Sequence, residues 1–185
     1  MLRPMAKLLS AFVCFCGLLF ATEPPGVWLD VPFVKQEKDG CGAASVAMVM
    51  QYWLNQQENV AAKNADAAQI QRGLYSRHAR GIYASDLERY LQQQEFRTFA
   101  FRGEWSDLKQ HLEKGRPLIV ALKPAAGNVP LHYVVVTGLD WDQALVMINN
   151  PAQRKLLKEH RSSFEQKWHA ADNWTLLAVP QQVSH

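Results

Sequence analysis

Gln36-Glu37-Lys38-Asp39-Gly40-Cys41-Gly42-Ala43-Ala44-Ser45 is the stretch where an extended segment turns into a helix, and a cysteine sits at the junction. Beyond it, Val46, Ala47, Val49, Met50, Trp53 and Leu54 leave little polar face, so Cys41 to Leu54 reads as a buried helix. Cys41 then occupies the first helical turn, where unpaired N–H groups and the helix dipole favour a negative charge. Gly40 and Gly42 allow a tight entry and the close approach of a ligand. A thiol becomes a nucleophile as the thiolate, and its unperturbed pKa is about 8.5. The sequence therefore predicts a reactive sulfur held as an anion at a helix start.

The other two cysteines, Cys14 and Cys16, fall in an N-terminal leader. Arg3 and Lys7 precede an apolar run from Leu8 to Ala21, and Thr22-Glu23-Pro24-Pro25 ends the pattern. The run is shorter than the roughly 20 apolar residues that a spanning helix needs. Residues 1–21 read as a secretory signal peptide and 22–185 as the mature domain, exported to the periplasm or beyond. Val13 and Phe15, which precede the two leader cysteines, are too large for a lipid-attachment site. If the leader stays uncleaved, it is the one expected membrane contact. Its loss leaves Cys41 with no partner for an internal disulfide, which makes it a small buried residue or a reactive group. The loss also removes two cations and no acid, so the net charge falls from +3 to +1. No basic block stands out, which argues against a nucleic-acid partner.

One domain of this size can build a full core. Val27 to Val34 alternates like a short strand, and Gln56 to Gln71 reads as a loop with a short helix. Ser85 to Gln94 reads as a helix, with Ser85 as N-cap and Glu88 completing a capping box. Arg97 to Phe101 is a strand, and Trp105 to Lys114 is an amphipathic helix stopped by Gly115. Strands follow at Pro117–Leu122, His132–Gly138 and Ala144–Asn149, with Asp140 to Gln143 as a hairpin turn between the last two. Ser162 to Trp168 is a short helix and Trp174 to Val179 a closing strand. A helical first half and a strand-rich second half indicate an α+β domain. The tryptophans suit core and cleft packing.

A cysteine nucleophile needs an imidazole to take its proton and return it to the leaving group. Among six histidines, His132 opens an apolar strand, a position suited to the mouth of a site. With the turn at Asp140 to Gln143, His132 falls opposite residue 151, beside Asn149 and Asn150. An amide oxygen there would accept the imidazole Nδ1–H and turn Nε2 toward the sulfur. Spacing alone does not choose between the two asparagines, because a one-residue register shift exchanges them. Gln36, five residues before the cysteine, could join the Cys41 N–H as an oxyanion donor. No two histidines fall at helical ligand spacing and no Cys-x-x-Cys occurs, so neither a metal nor another cofactor is expected.

Val31-Pro32-Phe33-Val34-Lys35-Gln36, Asp39-Gly40-Cys41-Gly42-Ala43-Ala44, Leu131 through Gly138, and Asn149-Asn150-Pro151-Ala152 together resemble the bacteriocin-processing cysteine peptidases. These are papain-like enzymes that cut after double-glycine leaders when fused to export transporters. The resemblance runs from about Asp30 to Trp168. It implies a papain-like fold, with the nucleophile helix packed on a C-terminal antiparallel sheet. It also implies Cys41 as nucleophile, His132 as general base, Gln36 in the oxyanion hole and Asn150 as the residue that orients the imidazole. The family usually carries Asp where Asn150 stands, so this chain orients its imidazole without adding a charge.

The expected function is an exported cysteine peptidase acting on a peptide or protein, with a double-glycine leader as one substrate class. The chain shows no membrane-spanning run and no phosphate-binding glycine loop followed by lysine, so any transporter is expected as a separate partner. Two alternatives stand beside it. One is a peptide-binding domain of the same fold with weak or no activity, and the other is a cell-wall peptide amidase.

Overall fold

A computed structural model of the chain describes residues 25–56, 65–124 and 129–181. The expected signal peptide, residues 1–21, lies outside the described residues. Of the mature domain, the first residues, two internal segments and the last four residues lie outside them too. The elements follow in the order β1 (Gly26–Trp28), α1 (Cys41–Gln56), α2 (Ala67–Leu74), α3 (Ala84–Gln93), β2 (Phe96–Arg102) and α4 (Trp105–Glu113). Then come β3 (Leu118–Leu122), β4 (His132–Asp140), β5 (Leu145–Asn149), β6 (Leu157–His160), α5 (Arg161–His169) and β7 (Trp174–Pro180). No helix among the described residues is long and apolar enough to cross a membrane.

The strands form one sheet in the order β2-β7-β3-β4-β5-β6, with β1 added against β4 and every pairing antiparallel. Strand alternation sorts the core into two layers. Ile119, Ala121, Tyr133, Val135, Leu176 and Ala178 face α1, whose residues Gly42 to Met50 are all buried. Leu118, Val120, Val134, Val136, Val146 and Leu177 face the opposite way, onto Leu108 and Leu112 of α4 and Phe164 and Trp168 of α5. Covered on both faces, β3 and β4 carry the near-continuous apolar runs that such burial requires. The nucleophile helix therefore does pack on an antiparallel sheet, as the resemblance implied.

Several boundaries differ from the sequence reading, each for a local reason. The first strand ends at Trp28 rather than Val34. The Val31 N–H turns back to the Leu29 carbonyl at 2.9 Å, and Pro32 has no N–H to offer a ladder. Helix α3 starts at Ala84 with Tyr83 as its N-cap and no side-chain capping bond, so Ser85 and Glu88 form no capping box. The capping box occurs instead on α4, between Glu104 and Asp107. Gly115 does take the left-handed backbone (φ 68°) that ends α4. The β4–β5 turn spans residues 141–144 rather than 140–143, with Ala144 in a left-handed conformation, and the register slips between Val136 and Gly138. Strand β6 was not expected, because Leu157-Lys158-Glu159-His160 is too polar to read as a strand. It is an edge strand whose backbone pairs only with β5.

Candidate active site

The loop that delivers the cysteine is shaped by its glycine. Asp39 takes a positive φ of 56°, the Gly40 N–H bonds the Glu37 carbonyl at 3.1 Å, and the Gly40 carbonyl accepts the first helical bond from Ala44 at 2.9 Å. A Cβ at Gly40 would lie 2.4 Å from Gln71 Oε1 on α2, so any larger residue would displace that side chain. The loop is pinned from below by Gln71, whose Nε2 donates to the Lys38 carbonyl at 2.6 Å. Cys41 is thereby fixed as the first residue of α1, half-buried, with its Sγ 4.0 Å from the Leu131 carbonyl oxygen.

That carbonyl belongs to the residue before His132, which begins β4. His132 Nε2 lies 2.8 Å from Asn150 Oδ1. The same oxygen accepts the Ala152 backbone N–H at 3.1 Å, in an Asx turn built by Asn150-Pro151-Ala152. An N–H can only donate, so the atom it faces is the amide oxygen, and the Nε2 facing that oxygen carries the imidazole proton. Nδ1 is left bare. This reverses the expected arrangement, in which Nδ1–H would bond the amide and Nε2 would face the sulfur. The bulge in β4 and the later turn place Asn149 opposite Val135 and carry Asn150 diagonally toward His132.

Asn149 has a different occupation. It is fully buried, its Nδ2 donates to the Val31 and Pro32 carbonyls at 3.1 and 3.3 Å, and its Oδ1 accepts the Leu156 N–H at 3.0 Å. It ties the incoming loop to the sheet and has no contact with the imidazole. Gln36 is anchored beside the pair through its own N–H, which bonds the Pro151 carbonyl at 3.0 Å. Its Oε1 is buried without a partner. Cys41, His132, Asn150 and Gln36 all line one open cleft of about 670 Å³. All four residues singled out in the sequence are brought together.

Burial works against the expected thiolate. It pushes the Cys41 thiol up; the Tyr133, Gly42 and Cys41 backbone N–H groups oppose this, and the Asp39 charge adds to it. Burial also pushes His132 down, with Asn150 favouring its imidazolium and the Lys167 charge disfavouring it. Desolvation thus opposes the charged form of both groups, while the helix start and the Asn150 amide favour it.

A family model described as the Peptidase_C39 like family matches residues 28–175, a span that contains all four of these residues. The chain belongs to the Peptidase_C39-like family. It is a cysteine-type peptidase, of the same family as the double-glycine peptidases whose motifs its sequence resembles. Three crystal structures share its fold. One is the peptidase domain of Streptococcus ComA, a bifunctional ABC transporter involved in a quorum-sensing pathway (TM-score 0.63, 20% identity, 80% of this chain and 98% of that one). Another is a chain described as a C39-like peptidase from Bacillus anthracis (0.63, 20%, 84% and 98%). The third is a double glycine motif protease from an AMS/PCAT transporter, in complex with the leader peptide (0.65, 22%, 84% and 95%). A search of curated proteins found no match.

Several residues of this C39-like peptidase reach the cleft without having been singled out in the sequence. Arg80, Lys123 and Lys167 line it, and Lys167 is paired with the half-buried Glu159. Nothing in their local sequence separates them from solvated surface charges. Their place comes from the α2–α3 connection, the end of β3 and α5 converging on the start of β4.

Proposed function

We propose that the chain hydrolyses peptide bonds by a Cys41–His132–Asn150 triad with Gln36 as an oxyanion donor. The observation that carries this reading is the shared Asn150 oxygen, which fixes the His132 tautomer and leaves Nδ1 bare in the cleft that also holds the Cys41 thiol. Nδ1 accepts the thiol proton as Sγ attacks the scissile carbonyl. The Cys41 N–H, which has no intrahelical acceptor at the first helical position, and the Gln36 amide receive the developing oxyanion. The imidazolium then gives its proton to the departing amine, leaving a thioester on Cys41. Water, deprotonated by Nδ1, attacks the thioester, and the proton returns to the sulfur as the acid is released.

A peptide substrate accords with the related double glycine motif protease that was crystallised with a leader peptide. The leader-like residues 1–21 support work outside the cytoplasm, and N-terminal sequencing of the exported protein should then begin near Thr22. For the chemistry, the full chain is assayed on a peptide library before and after iodoacetamide. Cleavage should fall by roughly 10⁴-fold or more on Cys41→Ala or alkylation of that residue. Undiminished cleavage by Cys41→Ala would remove the nucleophile and the mechanism with it.

A further inference from the structure

Cys41 forms part of the wall between two adjoining cavities. The larger holds His132, Asn150 and Gln36. The smaller, about 340 Å³, contains none of these three. It is lined by Ile82, Tyr83, Ala84 and Tyr133, with Arg80, Pro130 and Leu131 at the boundary of both. Ile82 and Tyr133 are buried, while Tyr83 and Leu131 are exposed to 43% and 40%.

The chemistry assigns a direction to the two cavities. The departing amine takes its proton from His132, so the part of the peptide beyond the scissile bond lies in the larger cavity. Among the described residues, the smaller cavity is the one that opens beside Cys41 without His132, and it receives the acyl part. We infer that the smaller cavity selects an aliphatic or aromatic side chain on one of the two residues preceding the cut bond. This inference rests on the catalytic reading above. A pair of glycines at those positions would leave the apolar volume unfilled, so a double-glycine leader is not the preferred substrate of this chain.

Gly81 offers a means of closing the cavity. A Cβ there meets only the Asp39 and Ala79 carbonyl oxygens, at 3.8 and 4.0 Å, so a side chain can be added without backbone collision. The full chain is first given a peptide library randomised around a central bond, and the cuts are located by mass spectrometry. Matched peptides carrying Gly-Gly, Leu-Gly or Gly-Leu before the preferred bond are then compared. One leucine peptide should exceed Gly-Gly in kcat/KM by roughly tenfold or more, the selectivity that burying an aliphatic side chain supplies. Gly81→Leu should erase that advantage. Equal or faster hydrolysis of Gly-Gly, with all cleavage lost in Cys41→Ala, would overturn the pocket assignment and leave the catalytic reading standing. Cleavage that persists in Cys41→Ala would overturn both.

Discussion

Two neighbouring asparagines divide the work at the site. Asn149 makes three hydrogen bonds inside the core, whereas Asn150 orients an imidazole at the cleft. Asn149→Ala strands buried carbonyls and an N–H, so it should lower unfolding free energy by about 1–3 kcal/mol, read by urea denaturation. Asn150→Ala gives up the Ala152 N–H bond at a cost of about 0.5–1.5 kcal/mol, and its larger effect should be a fall in kcat on the order of 10²-fold. The charges around the ring set the pH profile. Burial and Lys167 both disfavour the His132 imidazolium, the form that protonates the leaving amine. Lys167→Met removes a cation and frees the Glu159 carboxylate, and both changes favour the imidazolium. His132 must be neutral to take the thiol proton, so the acidic limb of kcat/KM should move to higher pH. Asn150→Asp should move it the same way, because a carboxylate replaces a neutral acceptor. A limb that stays in place or falls in the Lys167 variant would show that His132 is not the group titrating there. The residue types were readable in the sequence because each has a recognised chemistry. The ring nitrogen that meets the amide was not, because it is set by how the His132 side chain meets Asn150 from a neighbouring segment, which no local pattern announces.

At the level of elements, α2 is the support under the catalytic loop. Its Asp66 N-cap accepts the Gln69 N–H at 2.9 Å, and two residues further on Gln71 holds the Lys38 carbonyl. Gln71→Ala should release the Glu37–Gly40 turn and misplace Cys41, lowering kcat/KM by roughly tenfold. Stability should fall by only about 0.5–1.5 kcal/mol, the net value of one hydrogen bond. Steady-state kinetics alongside urea unfolding separates the two effects. Helices α1 and α4 and the apolar strands β3 and β4 were legible because periodicity and burial agree along them. Strand β6 was not, since an edge strand is made by its neighbour's backbone rather than by its own side chains.

For the whole molecule, the last strand is the one that joins the sheet. β7 lies between β2, which precedes α4 in the chain, and β3, which follows it. It buries Leu176, Leu177 and Ala178 on the two faces. Burial of each leucine contributes about 1.5–3 kcal/mol, a large part of an ordinary domain's stability of about 5–15 kcal/mol. A chain stopped after Asn173 should therefore fail to fold, whereas one stopped after Gln181 should keep its full circular dichroism signal and cooperative thermal transition. By itself the sequence determined the α+β class and the helix that begins at Cys41, because these follow from periodicity. Side-chain chemistry made Cys41, His132 and Gln36 candidates, and only the family resemblance chose Asn150 over Asn149. The tertiary structure decided which nitrogen of His132 meets the amide, that burial opposes the thiolate, and that an apolar hollow opens beside the sulfur. Those properties belong to groups from distant parts of the chain brought into a shared low-dielectric space, and no local run of residues encodes such a meeting.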